Sequence, residues 1–106
     1  MDPSKYKDFV TSRGYKYHYY INRPSTTATT ILLLHGFPCT SIEWERQVPF
    51  FEAKGYSVIV PDLLGYGGTD KPTDPKDYGM NLMAKDVIEL LDAESVSKFI
   101  VLGHDW

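Results

Sequence analysis

The fold class predicted from these 106 residues is α/β: an antiparallel hairpin followed by parallel strands joined by crossover helices. Three observations lead there. Residues 30–34, 57–60 and 98–102 are short β-branched or leucine-rich runs without polar alternation, as strands covered on both faces tend to be. The two stretches between them carry apolar residues at helical spacing, so the order is strand, helix, strand, helix, strand, with right-handed crossovers. Ahead of them, Tyr15, Tyr17, Tyr19 and Ile21 alternate with Lys16, His18 and Tyr20 at the period of a half-buried sheet.

Each element has its own local reason. Residues 7–12 and 15–22 pair around a turn at Arg13-Gly14, and the small polar stretch 23–29 is a surface connection. In residues 41–54, Ile42, Trp44, Val48 and Phe51 can share one helical face. Pro49 belongs in the first turn of the main helix, and Gly55 supplies its end. Met80, Met83, Ala84, Val87, Ile88 and Leu91 fall at i, i+3, i+4, i+7, i+8 and i+11, so they form the core-facing stripe of a second helix. The tyrosines of the hairpin are sheet packing rather than an aromatic cage.

Composition bounds the class. A 42% hydrophobic and 24% charged chain is ordinary for a globular domain, and 106 residues allow one modest core at most. Eleven basic against 14 acidic residues give a net charge of −3, which gives no reason to expect nucleic acid or anionic membrane as the main partner. A small neutral molecule remains open. The longest aliphatic run, Ile31 to Leu34, is far short of the roughly 18 residues of a membrane span, and residues 1–14 lack a signal-peptide core. The expected location is the cytoplasm or another intracellular compartment. Cys39 is the one cysteine, so no internal disulfide and no cysteine-based zinc cluster is expected. His35 and Cys39 have ligand-like spacing, but no carboxylate stands near them as a third ligand, and neither metal nor cofactor is expected.

In α/β sheets function collects where strands run into loops at the carboxyl edge. The first such junction is His35-Gly36-Phe37-Pro38, where glycine permits a sharp turn and the Phe37 amide is left to face a ligand. It also reads as a plain turn after a buried strand. The second, residues 61–72, is glycine-rich. It has Asp70 where a dinucleotide loop needs its third glycine and lacks the Gly-Lys-Ser/Thr of a P-loop, so it reads as a structural loop. The third is Gly103-His104-Asp105-Trp106. It places Asp105 in the slot of a strand-to-helix nucleophile elbow, although taken alone the better reading is a polar residue at a strand end. An ionised carboxylate needs no base to attack a saturated carbon.

Taken together, His35-Gly36-Phe37-Pro38, residues 44–49, Gly55-Tyr56, Asp62, residues 65–72 and Gly103-His104-Asp105-Trp106 resemble, in order and spacing, the α/β-hydrolase superfamily and within it the soluble epoxide hydrolase branch. The resemblance runs from about Gly14 onward. It implies that Asp105 is a nucleophile opening an epoxide through an aspartyl ester, which water then releases as a vicinal diol. It also implies an oxyanion hole made of the Phe37 and Trp106 amides, with a cis Phe37–Pro38 peptide, and a supporting turn of His35, Gly36, Pro38, Gly103 and His104. The implied substrate is a small apolar epoxide. Carbon–halogen-cleaving relatives share the aspartate, but haloalkane dehalogenases place Asn or Glu where Phe37 stands, and fluoroacetate dehalogenases place Arg where Trp106 stands. Complete members are more than twice this length. The 106 residues are therefore expected to be the partial N-terminal portion of such a domain, inactive alone, without the cap, the ring-opening acid or the water-activating histidine. A noncatalytic truncated product is the rival of another class. One local departure is residues 93–96, Ala-Glu-Ser-Val, where relatives often end the helix with glycine.

Overall fold

The hairpin comes first in the sheet as well as in the chain. β1 (Tyr6–Val10) pairs antiparallel with β2 (Lys16–Asn22), setting Phe9 opposite Tyr17 and Tyr6 opposite Tyr20. This computed structural model describes residues 1–25 and 27–104. The turn is closed by Thr11 N–H to Tyr15 O at 2.9 Å and Gly14 N–H to Thr11 O at 2.9 Å, with Gly14 at φ +88°. Because Thr11 already turns back, β1 stops at Val10 and not at Ser12.

β3 (Thr30–Leu34), β4 (Ser57–Pro61) and β5 (Phe99–Gly103) complete a five-stranded sheet of order β1-β2-β4-β3-β5. β3 is parallel to both β4 and β5, whereas β2 joins β4 antiparallel. Unalternating runs belong in such a centre, since β4 is buried at every position and β3 at all but its last.

Two apolar layers cover the sheet. On one face α2 (Met80–Ala93) sets Val87, Leu90 and Leu91 against Tyr17, Tyr19, Leu32 and Ile59. On the other, α1 (Gln47–Ala53) sets Val48 against Tyr20, Ile31, Leu33, Val58 and Val60, with Trp44 and Phe51 packed alongside. A fully buried Leu, Ile or Val contributes roughly 1.5–3 kcal/mol, so these layers dominate the folding free energy.

The structure corrects four expectations. Tyr20, read as the outward face of β2, is only 2% exposed, because the strand is covered on both sides there. The single helix over 41–54 is a 3₁₀ turn, Ser41–Trp44, followed by α1. One continuous helix would bury Pro49 in its interior, where it lacks an N–H and its ring clashes with the preceding turn; the break makes it the third residue of α1. Ile42 accordingly faces out. The α2 stripe is rotated: Leu90 is fully buried and Met80 and Ile88 are exposed, since that flank borders an apolar groove of about 370 Å³ between α2 and β5. Gly55, at φ +86°, ends the first helix as expected. Among the described residues no helix is long and apolar enough to cross a membrane.

Candidate active site

β3 and β5 deliver their loops side by side. Leu34 is in register with Gly103, and His104 N–H donates to Leu34 O at 3.2 Å, so the first and third junctions meet at the carboxyl edge of the sheet.

The first junction is a tight turn. Cys39 N–H closes onto Gly36 O at 2.9 Å around a cis Phe37–Pro38 peptide, the arrangement of a turn with cis-proline at its third position. The cis bond agrees with the expectation. Pro38 has no N–H, and among the described residues the Phe37 N–H has no acceptor, so one backbone donor is left for a ligand. The Phe37 ring is exposed and meets Tyr66 edge-on with centroids 6.3 Å apart.

His35 anchors this turn from beneath. Its ring is buried, Nε2 accepts the Leu63 N–H at 2.9 Å, and Nδ1 lies 3.0 Å from Gly36 O. With Nε2 accepting, Nδ1 carries the hydrogen, so Nε2 ties the first loop to the second while Nδ1 closes onto the first turn itself.

The second junction is structural, as the sequence indicated. Asp62, 4% exposed, accepts Ser41 N–H at 2.8 Å through Oδ1 and Gly68 N–H at 3.0 Å through Oδ2. Thr69 donates its hydroxyl to Asp62 O while accepting His18 N–H at 2.9 Å. The glycine loop therefore wraps its own aspartate, and its Leu63, Gly65, Tyr66, Gly68, Thr69 and Asp70 amides all bond inside the protein. Gly67, at φ +52°, has no alternative, since a Cβ there would stand 2.4 Å from Asp62 Oδ2.

The third junction ends the described chain at His104. Asp105 and Trp106, the expected nucleophile and second oxyanion donor, lie outside the described residues. His104 is mostly exposed, with Nδ1 3.0 Å from Glu43 Oε2. The same oxygen accepts Gly36 N–H at 3.3 Å. Burial pushes the Glu43 carboxyl up, but hydrogen bonds from Cys39, His104 and Gly36 outweigh it and hold it below the usual glutamate range.

The expected supporting residues His35, Gly36, Pro38, Gly103 and His104 lie together at this edge with Phe37, the first expected oxyanion donor. Glu43 is the residue that sequence reasoning missed. A trace existed, because Thr40-x-x-Glu43 is a capping-box spacing, and Thr40 does accept Ile42 N–H at 3.3 Å as an N-cap. The glutamate, however, reaches Gly36 and His104.

Beside Phe37 opens a cleft of about 450 Å³ lined mainly by Leu63, Leu64, Tyr66, Tyr78, Met80 and Met83. It can hold an apolar group but offers few polar partners.

A mixed sheet flanked on both faces by helices, with its loops converging above the ends of β3 and β5, is the architecture of an α/β fold with its site at the carboxyl edge. Residues 29–106 match the family described as alpha/beta hydrolase fold, and the chain belongs to it. Epoxide hydrolase srdG of Neurospora crassa is 35% identical over 99% of this chain and 33% of its own length. Epoxide hydrolase 3 of Siraitia grosvenorii is 40% identical over 76% of this chain and 25% of its own. The crystal structure of epoxide hydrolase A from Mycobacterium thermoresistibile superposes with a TM-score of 0.87 at 30% identity, over 95% of this chain and 31% of that one. The chain thus spans a quarter to a third of the length of these relatives.

Proposed function

We propose that these residues form the N-terminal part of an epoxide hydrolase domain in which Asp105 is the nucleophile. The observation that carries this reading is the Phe37 amide, left without an acceptor among the described residues and held beside the end of β5 by the Leu34–Gly103 pairing. The similarity to epoxide hydrolases supports it.

In this mechanism a carboxylate oxygen of Asp105 attacks one epoxide carbon. The carbon–oxygen bond breaks, and the ring oxygen leaves with its electron pair and takes a proton from an acid outside these 106 residues. Water, deprotonated by a base also outside them, then adds to the carboxyl carbon of the ester. The negative charge develops on the carboxyl oxygen of Asp105 itself, where the Phe37 and Trp106 amides stabilise it. Cleavage of the ester releases the diol and restores the carboxylate. The apolar cleft beside Phe37 suits an apolar epoxide, and the Phe37 side chain offers no donor for a leaving halide, which favours epoxide opening over dehalogenation.

The test is intact-mass and peptide mapping of a full-length protein carrying this sequence after exposure to an epoxide such as styrene oxide. The expected adduct is an ester on Asp105, absent in Asp105→Asn. Labelling elsewhere, or turnover surviving Asp105→Ala, rejects the assignment. The 106 residues alone are expected to form no diol above background.

A further inference from the structure

Glu43 stands between the turn at Gly36-Phe37 and the end of β5 at His104, yet it belongs to neither. Its backbone is fixed on the 3₁₀ turn Ser41–Trp44, which is pinned at one end by the Thr40 cap and by the Asp62 carboxylate on Ser41 N–H. From there a side chain only 15% exposed sends one oxygen, Oε2, to Gly36 N–H and to His104 Nδ1. Gly36 immediately precedes the Phe37 amide, and His104 immediately precedes Asp105. We propose that Glu43 is a positioning residue: by gripping Gly36 and His104 with one carboxylate oxygen, it sets the distance between the Phe37 amide and the end of β5.

The role rests on the epoxide-hydrolase reading above, and it predicts which chemical step depends on Glu43. Ring opening builds charge on the epoxide oxygen, away from the oxyanion hole. Ester hydrolysis builds it on the Asp105 carboxyl oxygen, where the Phe37 amide must be in place. Misplacement by about 1 Å costs on the order of 100-fold in a preorganised site, so loss of the grip should slow hydrolysis and spare alkylation. A second effect opposes this one. Glu43 holds its negative charge against the Gly36 N–H, next to the Phe37 amide, so neutralising it relieves repulsion of an anion bound at that amide. The direction of change in the hydrolytic step therefore shows whether grip or repulsion governs.

The experiment compares a full-length protein carrying this sequence with its Glu43→Gln and His104→Ala variants on styrene oxide, by steady-state kinetics and rapid-quench mass spectrometry. Glu43→Gln should lower kcat at least 10-fold and lower KM with it. The ratio kcat/KM, which reports alkylation, should stay within about 2-fold while the Asp105 ester accumulates. His104→Ala, which removes one side of the grip and leaves the 3₁₀ turn untouched, should show the same split more weakly. A general loss of folded enzyme would instead lower kcat at constant KM. That pattern in both variants, an unchanged kcat or faster hydrolysis overturns the positioning role and leaves the mechanism standing. A parent protein that forms no ester on Asp105 overturns both.

Discussion

Ser95 ends α2 at φ +60°, a left-handed conformation that costs a residue with a Cβ about 1–2 kcal/mol. The hydrogen bonds explain why the chain accepts it: Val96 N–H reaches Leu91 O at 2.9 Å and Ser95 N–H reaches Asp92 O at 3.0 Å, the paired bonds that close a helix through a left-handed residue. Glycine adopts this conformation without steric cost but loses more backbone entropy on folding. Ser95→Gly is therefore expected to stabilise by about 0.5–1 kcal/mol, read as a higher urea midpoint at unchanged slope. Gly67 shows the reverse. Its Cβ would overlap the Asp62 carboxylate, so Gly67→Ala should destabilise by about 1–3 kcal/mol in the same titration.

Among the elements, β2 is tied to helices on both faces through phenol–carboxylate pairs. Tyr17 donates to Asp86 and Tyr19 reaches the carboxylate of Glu94 beyond α2, whereas Tyr20 donates to Glu52 of α1. Burial first, then the hydrogen bond to each carboxylate, raises all three phenols above their ordinary value of 10. Above pH 10 the unfolded chain releases these protons while the folded chain keeps them, so the unfolded state binds fewer protons and stability falls as pH rises. The folding free energy should hold through about pH 9 and decline above 10, with phenolate absorbance of these tyrosines appearing together with unfolding. Asp86 matters separately. It is fully buried and takes Arg13 Nη2 at 2.5 Å and Nε at 3.0 Å, joining the hairpin turn to α2. Asp86→Asn leaves Arg13 with only the longer contact to Asp77, at 3.8 Å, as a charge partner and should cost about 1.5–3 kcal/mol by chemical denaturation.

At the scale of the molecule, β5 is an exposed edge of the sheet, with Val101 49% exposed beside the apolar groove against α2 and Ile100 48% exposed on the other face. An apolar edge strand with unpaired backbone groups is a template for another chain. The 106-residue polypeptide expressed alone should self-associate in light scattering at micromolar concentration, and Ile100→Lys, which charges the edge without touching the buried layers, should shift it toward monomer. A monomeric parent with a sharp cooperative thermal transition counts against this reading.

Local pattern was enough for the strands, for the helix end at Gly55 and for the structural nature of the glycine loop, because unalternating apolar runs, a glycine stop and a failed phosphate motif are each properties of consecutive residues. The motifs at Phe37 and His104 were legible for the same reason. What the tertiary structure decided depends on residues far apart in sequence. Tyr20 is buried because α1 covers the second face of β2; Met80 and Ile88 are exposed because of how α2 rolls against a sheet whose edge is β5. Glu43 was silent in sequence for the clearest physical reason. It is seven residues from Gly36 and 61 from His104 (104 − 43), and only the parallel pairing of β3 with β5 brings both donors within reach of one carboxylate oxygen.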